Sequence, residues 1–230
     1  LAALTDADES TRQSLFSDAI TSLVRLQRID PLRASTPLPH YDAALLRREI
    51  TLFPGWYLDR HQKAELINDE KNALERVYAT LIASALGQPT VLVHRDYMPR
   101  NLMVMPDRNP GVIDYQDAVV GPITYDVASL MRDAFLSWEE PQIIDWAVRY
   151  WHQAKKAGLP VRADFSEFYR EMEWMGLQRH LKVLGIFARI NYRDGKPKYL
   201  ADTPRFVQYV RHVAKRYQAF TPLLRLFDRL

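Results

Sequence analysis

Cysteine is missing from all 230 residues, which excludes disulfides and thiolate-held metals. No apolar run approaches the ~18 residues a membrane-spanning helix needs, so no membrane partner is expected. The opening LAALTDADES has neither the basic start nor the cleavage site of a secretory leader, and a cytoplasmic setting is expected. It also lacks an initiating methionine and reads like mid-chain sequence, so the expectation is a piece of a longer protein. Internal repeats, low-complexity segments, zinc-finger spacings and glycine-rich RNA motifs are missing too. Nucleic acid is therefore not an expected partner.

What is present fits a soluble globular chain: 47% apolar and 26% charged residues, in a length that holds one substantial domain. The net charge of +3 conceals an asymmetry. From Leu181 to Leu230 there are eleven Lys/Arg and three Asp/Glu, giving +8 there and −5 elsewhere. A solvated helix surface accounts for such a stretch, and so does attraction of an anionic ligand.

The periodicity is mostly helical. Leu15, Ala19, Leu23 and Leu26 recur at helical spacing and predict an amphipathic helix over Asp8–Arg28. Pro31–Pro39 is a loop, and further helices are expected over Tyr41–Leu52, ending at Phe53-Pro54-Gly55, and Gln62–Ala85. The period then changes. Thr90–Val93 is a short β-branched run, and Asn101–Met105 and Gly111–Tyr115 flank the turn formers Pro106–Pro110, predicting a β-hairpin. After Gly121-Pro122 the helical period returns, with Val127, Leu130, Met131, Ala134 and Phe135 on one face. Helices over Pro141–Ala157, Asp164–Ile190 and Pro204–Gln218 follow. The expected fold is α+β, mainly α-helical. It comprises a helical region over 1–89, a catalytic loop, hairpin and helix over 90–136, and a helical substrate-side region over 137–230.

The stretch VLVHRDYMPRNLMV followed by GVIDYQD carries the chemistry. Phosphoryl transfer needs a carboxylate to take a hydroxyl proton and oxygen ligands for Mg²⁺. Asp96 follows a buried strand on an exposed turn, five residues before Asn101, so a compact loop can aim both into one site. Asn101 offers a neutral oxygen to a metal that takes few protein ligands. The hairpin then returns Asp114 to Asn101's side as the anionic ligand.

His94-Arg95-Asp96 with Asn101 resembles the H-x-D-x-x-x-x-N catalytic loop of protein kinases and aminoglycoside phosphotransferases. Asp114-Tyr115-Gln116 stands where protein kinases have D-F-G, and Gly121–Ala128 looks like the G-D-P-x-x-D-L-A segment of the aminoglycoside/choline kinase branch. The resemblance implies a kinase-like C-terminal lobe with ATP and Mg²⁺ as cofactors. It makes Asp96 the base and Asn101 and Asp114 the metal ligands, with His94 and Asp126 bracing the loop. Met103 and Ile113, which alternate with the metal ligands along the hairpin, would floor the adenine pocket. The β-rich N-terminal lobe of that family, with its phosphate-covering loop and lysine, has no counterpart here. This chain by itself is expected to be inactive.

For the acceptor, Phe165, Phe168, Met172, Met175, Val183 and Phe187 form an apolar stripe on which Arg179 falls. A buried arginine calls for an anion, either an internal carboxylate or a substrate group, and Arg132 is a second candidate. Trp56 and Tyr57 could stack on a sugar or pack in the core. Few acids follow the catalytic motifs, which argues against a cationic acceptor. The chain, including RREITLFPGWYLDRH and EMEWMGLQRHLKVLGIFARINYRDGKPKYL, is similar to the anomeric N-acetylmuramate/N-acetylglucosamine kinases of bacterial cell-wall recycling. That similarity implies a small-molecule amino sugar phosphorylated on its C1 hydroxyl, with its lactyl carboxylate on an arginine such as Arg179. An aminoglycoside or choline-type kinase, and a kinase-derived regulatory module without turnover, are the competing readings.

Overall fold

The computed structural model describes residues 2–33, 36–133 and 135–230. The chain is mainly helical, with two short β-ribbons among the described residues. It divides into two compact units, one of Leu1–Tyr41 with Gln88–Met172 and one of Asp42–Gly87 with Glu173–Leu230. No helix of the described residues is long and apolar enough to cross a membrane.

The first unit begins with helices α1 (Ala2–Thr5) and α2 (Glu9–Gln27). Asp8 caps α2, its carboxylate accepting from the Thr11 N–H at 2.7 Å. The buried face of α2 is Phe16, Ala19, Ile20, Leu23 and Val24, one residue round from the expected stripe, which leaves Leu15 and Leu26 half-buried. This face packs on α6 (Glu140–Lys156), where Phe16 stacks on Trp146 with centroids 3.6 Å apart. Gln27, buried at the end of α2, donates to the Ile123 carbonyl and accepts from the Tyr150 hydroxyl.

Between these helices runs the β segment. Strand β1 (Thr90–Val93) and the hairpin of β2 (Leu102–Met103) and β3 (Gly111–Val112) match expectation, the hairpin pairing Leu102 with Val112 and Met103 with Gly111. A further strand, β4 (Val119–Pro122), was not expected, because Gly121-Pro122 reads as a turn. Val119 and Val120 pair with Val93 and Leu92, and Pro122 sits opposite Thr90 at the strand end, where its missing N–H costs no ladder bond. Gly121 is required here, since a Cβ would meet the Tyr41 Cβ at 2.9 Å. The predicted Pro31–Pro39 loop contains a 3₁₀ turn at Pro31–Arg33, and the chain beyond it pairs along Val120 through His40.

Helix α5 (Thr124–Met131) is buried on every side rather than along one face, and it ends before Phe135, so Phe135 does not share it. Ala134, placed on the same face by periodicity, lies outside the described residues. Helix α7 (Phe165–Asp194) ends four residues later than predicted and contributes its start to the first unit.

The second unit holds α3 (Ala43–Ile50), α4 (Asn68–Leu86), the rest of α7, α8 (Thr203–Arg216) and α9 (Thr221–Arg229). Phe53-Pro54-Gly55 does not end the helical path as expected. A π-helical segment spans Phe53–His61, because Pro54 sits in the first turn, where an N–H has no partner to lose. Helix α4 starts at Asn68, six residues later than expected, with Glu70 accepting from the Ile67 N–H. Helix α9 and the 3₁₀ turn Pro197–Asp202 were not expected. Both are short, and each carries in its first turn a proline that reads as a breaker. Gly185 allows α7 to pass the Leu52 backbone closely, since a Cβ there would overlap its carbonyl carbon at 2.3 Å.

Candidate active site

The candidate site lies in the first unit and is built from β1, the loop after it, the hairpin and α5. Asp126, fully buried on α5, accepts the His94 N–H at 2.7 Å and the Arg95 N–H at 3.0 Å. One carboxylate thus satisfies two backbone donors that burial would otherwise leave unpaired. Arg95 holds φ at 74°, a conformation side chains disfavour, and the two bonds flanking it oppose that strain. Its guanidinium donates to the Asp117 carbonyl at 3.3 Å, tying the loop to the segment after the hairpin. Tyr97 anchors the loop from the other side, its buried hydroxyl donating to the Ala19 carbonyl at 2.8 Å.

The loop closes on itself. The Met98 N–H donates to the Asp96 carbonyl at 2.9 Å, and the Asn101 N–H donates to the Met98 carbonyl at 2.8 Å. Asn101 Nδ2 donates to the Asp96 carbonyl at 2.9 Å and to Asp114 Oδ2 at 3.2 Å. Both partners are acceptors, so the amide orientation is determined and Oδ1 is left for a cation. The Ile113 N–H donates to the Asn101 carbonyl at 3.1 Å, fixing the hairpin register at this point. Asp114 follows with φ at 71°, which aspartate tolerates better than most residues. Its Oδ1 accepts from Gln116 Nε2 at 2.8 Å. The Asp96 carboxylate, half-buried, has no hydrogen-bond partner among the described residues. Donor chemistry here is oxygen only, one amide and one carboxylate, which fits Mg²⁺ and not a soft metal.

The His94 ring is buried edge-on to Tyr97. Its pKa is lowered, chiefly by burial, against the opposing pull of Asp96, the Ile113 carbonyl and Asp114. The Ile113 carbonyl faces the ring, yet neither ring nitrogen has a partner in hydrogen-bond geometry. The folded chain therefore binds this proton less tightly than the unfolded chain does. Stability is expected to be flat above the ordinary value of 6.5 and to fall as pH drops through it toward the lower folded value. Unfolding midpoints from about pH 8 to about pH 5, with the His94 ring followed by NMR, check this. His61 is shifted the same way by burial, so the ring titration separates the two.

Asp96, Asn101, Asp114, His94 and Asp126 are brought together, and Met103 and Ile113 stand on the same hairpin with 49% and 48% of their surface exposed. The remaining expected residues are placed differently. Arg132, at the end of α5, pairs with Glu140 Oε2 at 2.7 Å, and Glu140 also accepts from the Tyr169 hydroxyl. Arg179, Trp56 and Tyr57 belong to the second unit. Arg179 is buried on α7. Tyr57 is a core residue stacked on Phe53, and Trp56 is half-buried with the Arg60 guanidinium over its ring. Sequence reasoning assigned no role to Gln116. The signal was a hydrogen-bonding side chain two residues after a proposed metal ligand.

The fold and site together define a protein-kinase-like phosphotransferase lobe. A model of the phosphotransferase enzyme family matches residues 2–165, and the chain belongs to that family. It is 53% identical over 216 residues to an N-acetylmuramate/N-acetylglucosamine kinase of Pseudomonas putida, covering 94% of this chain and 62% of that protein. It is 47% identical over 229 residues to a protein of the same name from Neisseria meningitidis serogroup B, covering 100% of this chain and 67% of that one. The chain thus spans about two thirds of the length of these relatives, somewhat less for the first. Among solved structures it resembles the ADP-bound aminoglycoside phosphotransferase APH(2'')-Ib, with a TM-score of 0.54 at 17% identity, over 91% of this chain and 67% of that one.

Proposed function

We propose that this chain supplies the base, metal ligands and acceptor side of an ATP-dependent kinase that phosphorylates an amino sugar. N-acetylmuramate and N-acetylglucosamine are the acceptors, and the anomeric C1 hydroxyl is the attacking group. The observation that carries the reading is the hydrogen-bonded set Asp96–Asn101–Asp114, with the Asp96 carboxylate left without a hydrogen-bond partner among the described residues. The names of the relatives support the choice of sugar.

In this reading Asp96 accepts the C1 hydroxyl proton as that oxygen bonds to the γ-phosphorus and the bond to the ADP oxygen breaks. Asn101 Oδ1 and the Asp114 carboxylate hold Mg²⁺, which when bound neutralises charge on the phosphates. His94 and Asp126 act through the backbone of the loop, and the exposed Met103 and Ile113 offer apolar surface to an adenine. ATP and the sugar meet in the cytoplasm, the setting this reading assigns.

Phosphoryl transfer by the full-length protein tests it, with Mg-ATP against N-acetylmuramate, N-acetylglucosamine, kanamycin and choline. Formation of a sugar 1-phosphate is the expected product. Turnover of the cationic acceptors alone would overturn the amino-sugar assignment, and nucleotide binding without any turnover would favour a regulatory module.

Gln116 gives a further expectation, because its amide orients the Asp114 carboxylate from outside the ligand set. Gln116→Ala is expected to raise the Mg²⁺ concentration for half-maximal rate about tenfold, with kcat at saturating metal close to the parent. Metal titrations of the rate, with direct Mn²⁺ binding followed by electron paramagnetic resonance, measure this.

A further inference from the structure

We infer that Arg100 recognises an oxyanion presented beside Asp96, in the first instance the carboxylate of an acidic sugar acceptor. The inference rests on the kinase reading above and assigns its specificity to a residue that neither motif nor periodicity singled out.

Arg100 lies in the 3₁₀ turn Pro99–Asn101, four residues after Asp96 and directly before Asn101. The bonds that close the loop also fix its backbone relative to both, since the Asp96 carbonyl takes the Met98 N–H and the Asn101 side-chain amide. Its neighbours Pro99 and Asn101 are buried, while Arg100 is exposed. Its guanidinium is not adrift in solvent. It lies over the Phe135 ring, 5.3 Å from the centroid, and the Phe135 N–H is pinned to Asp133 Oδ1 at 2.6 Å. The cation–π contact engages the charge of the guanidinium and not its N–H donors, which remain for an incoming acceptor.

Those donors are unclaimed among the described residues, unlike those of the other arginines attached to this site. Arg95 donates to the Asp117 carbonyl, and Arg132 pairs with Glu140. Arg132 therefore spends its guanidinium on an internal pair, and Arg179 is buried. Among the described residues Arg100 is the catalytic-loop cation that lies over an aromatic ring with its N–H donors unclaimed. A guanidinium so placed binds a carboxylate through two parallel N–H···O bonds. A phosphoryl oxygen presents the same chemistry, and the two sources differ in what they demand of the acceptor. A carboxylate contact helps only an acidic sugar; a phosphoryl contact helps every acceptor equally.

N-acetylmuramate and N-acetylglucosamine differ by one lactyl ether, which carries the carboxylate, so the pair isolates the contact. With full-length Arg100→Ala at saturating nucleotide, kcat/KM for N-acetylmuramate is expected to fall ~10–100-fold, mainly through KM. The value for N-acetylglucosamine should change less than about threefold, and Arg100→Lys should restore only part of the loss. An equal fall for both sugars through kcat would assign the oxyanion to the transferred phosphoryl group. No fall for either would overturn the inference. Calorimetric titration of both sugars without nucleotide reads the contact apart from turnover. Preference of the parent for the acid, lost in Arg100→Ala, supports the inference even if neither sugar is phosphorylated, an outcome that would defeat the kinase reading alone. Equal binding of the acid by parent and variant, with no fall in kcat for either sugar, would overturn it.

Discussion

Asp96→Asn is expected to lower kcat by about 10²–10⁴, the usual worth of a positioned general base, with little change in stability or nucleotide binding. The substitution keeps shape and removes the basic oxygen. The Asp96 carboxylate makes no hydrogen bond among the described residues, so exchanging it strands no buried partner. The loop is held by the Asp96 backbone carbonyl instead, which takes the Met98 N–H and the Asn101 amide in either variant. The unfolding midpoint should therefore stay within about 0.5 kcal/mol of the parent. Steady-state rates on the sugar acceptors beside a thermal melt measure both quantities. A variant that keeps a tenth or more of the parent rate would remove Asp96 from the role of base.

Asp126→Asn should do the reverse, with stability as the larger loss. Its carboxylate is fully buried and takes two backbone N–H groups, from His94 and Arg95. Asparagine brings an NH₂ group into a place where a donor already points, so one buried N–H loses its acceptor and faces another donor. A loss of about 3 kcal/mol is expected, the cost of breaking a buried charge-assisted bond without replacement. The rate should fall as well, since the same bonds hold Arg95 in its left-handed conformation immediately before Asp96, and a small displacement of a reacting group costs much. Denaturant unfolding with rates measured on the folded fraction separates the two effects. An unchanged midpoint would show that the bond network does not brace the loop.

These two carboxylates show how unevenly the site was legible. Asp96, Asn101 and Asp114 could be read because the spacing of a tight loop and a hairpin is local, and the turn formers Pro106–Pro110 announce the reversal. Gln116 escaped because its hydrogen bond to Asp114 depends on how the two side chains are turned after the hairpin, which no pattern of residue types reveals. Arg100 escaped because its orientation depends on Phe135, thirty-five positions away, which periodicity had placed on a helix that in fact ends at Met131. Strand β4 was hidden by its own Gly121-Pro122, a turn signal overridden by pairing with β1 and by the close approach of Tyr41.

Sequence alone determined the helical class, the hairpin, the three oxygen-bearing residues and the family resemblance, because each depends on residue types at short, fixed separations. Only the tertiary structure decided which arginines are already paired, that Asp126 ties the loop through backbone rather than side chains, and that Tyr57 is core. Those outcomes turn on burial and on partners distant in sequence. Desolvation there makes an unpaired polar group expensive and so selects contacts that no local pattern records.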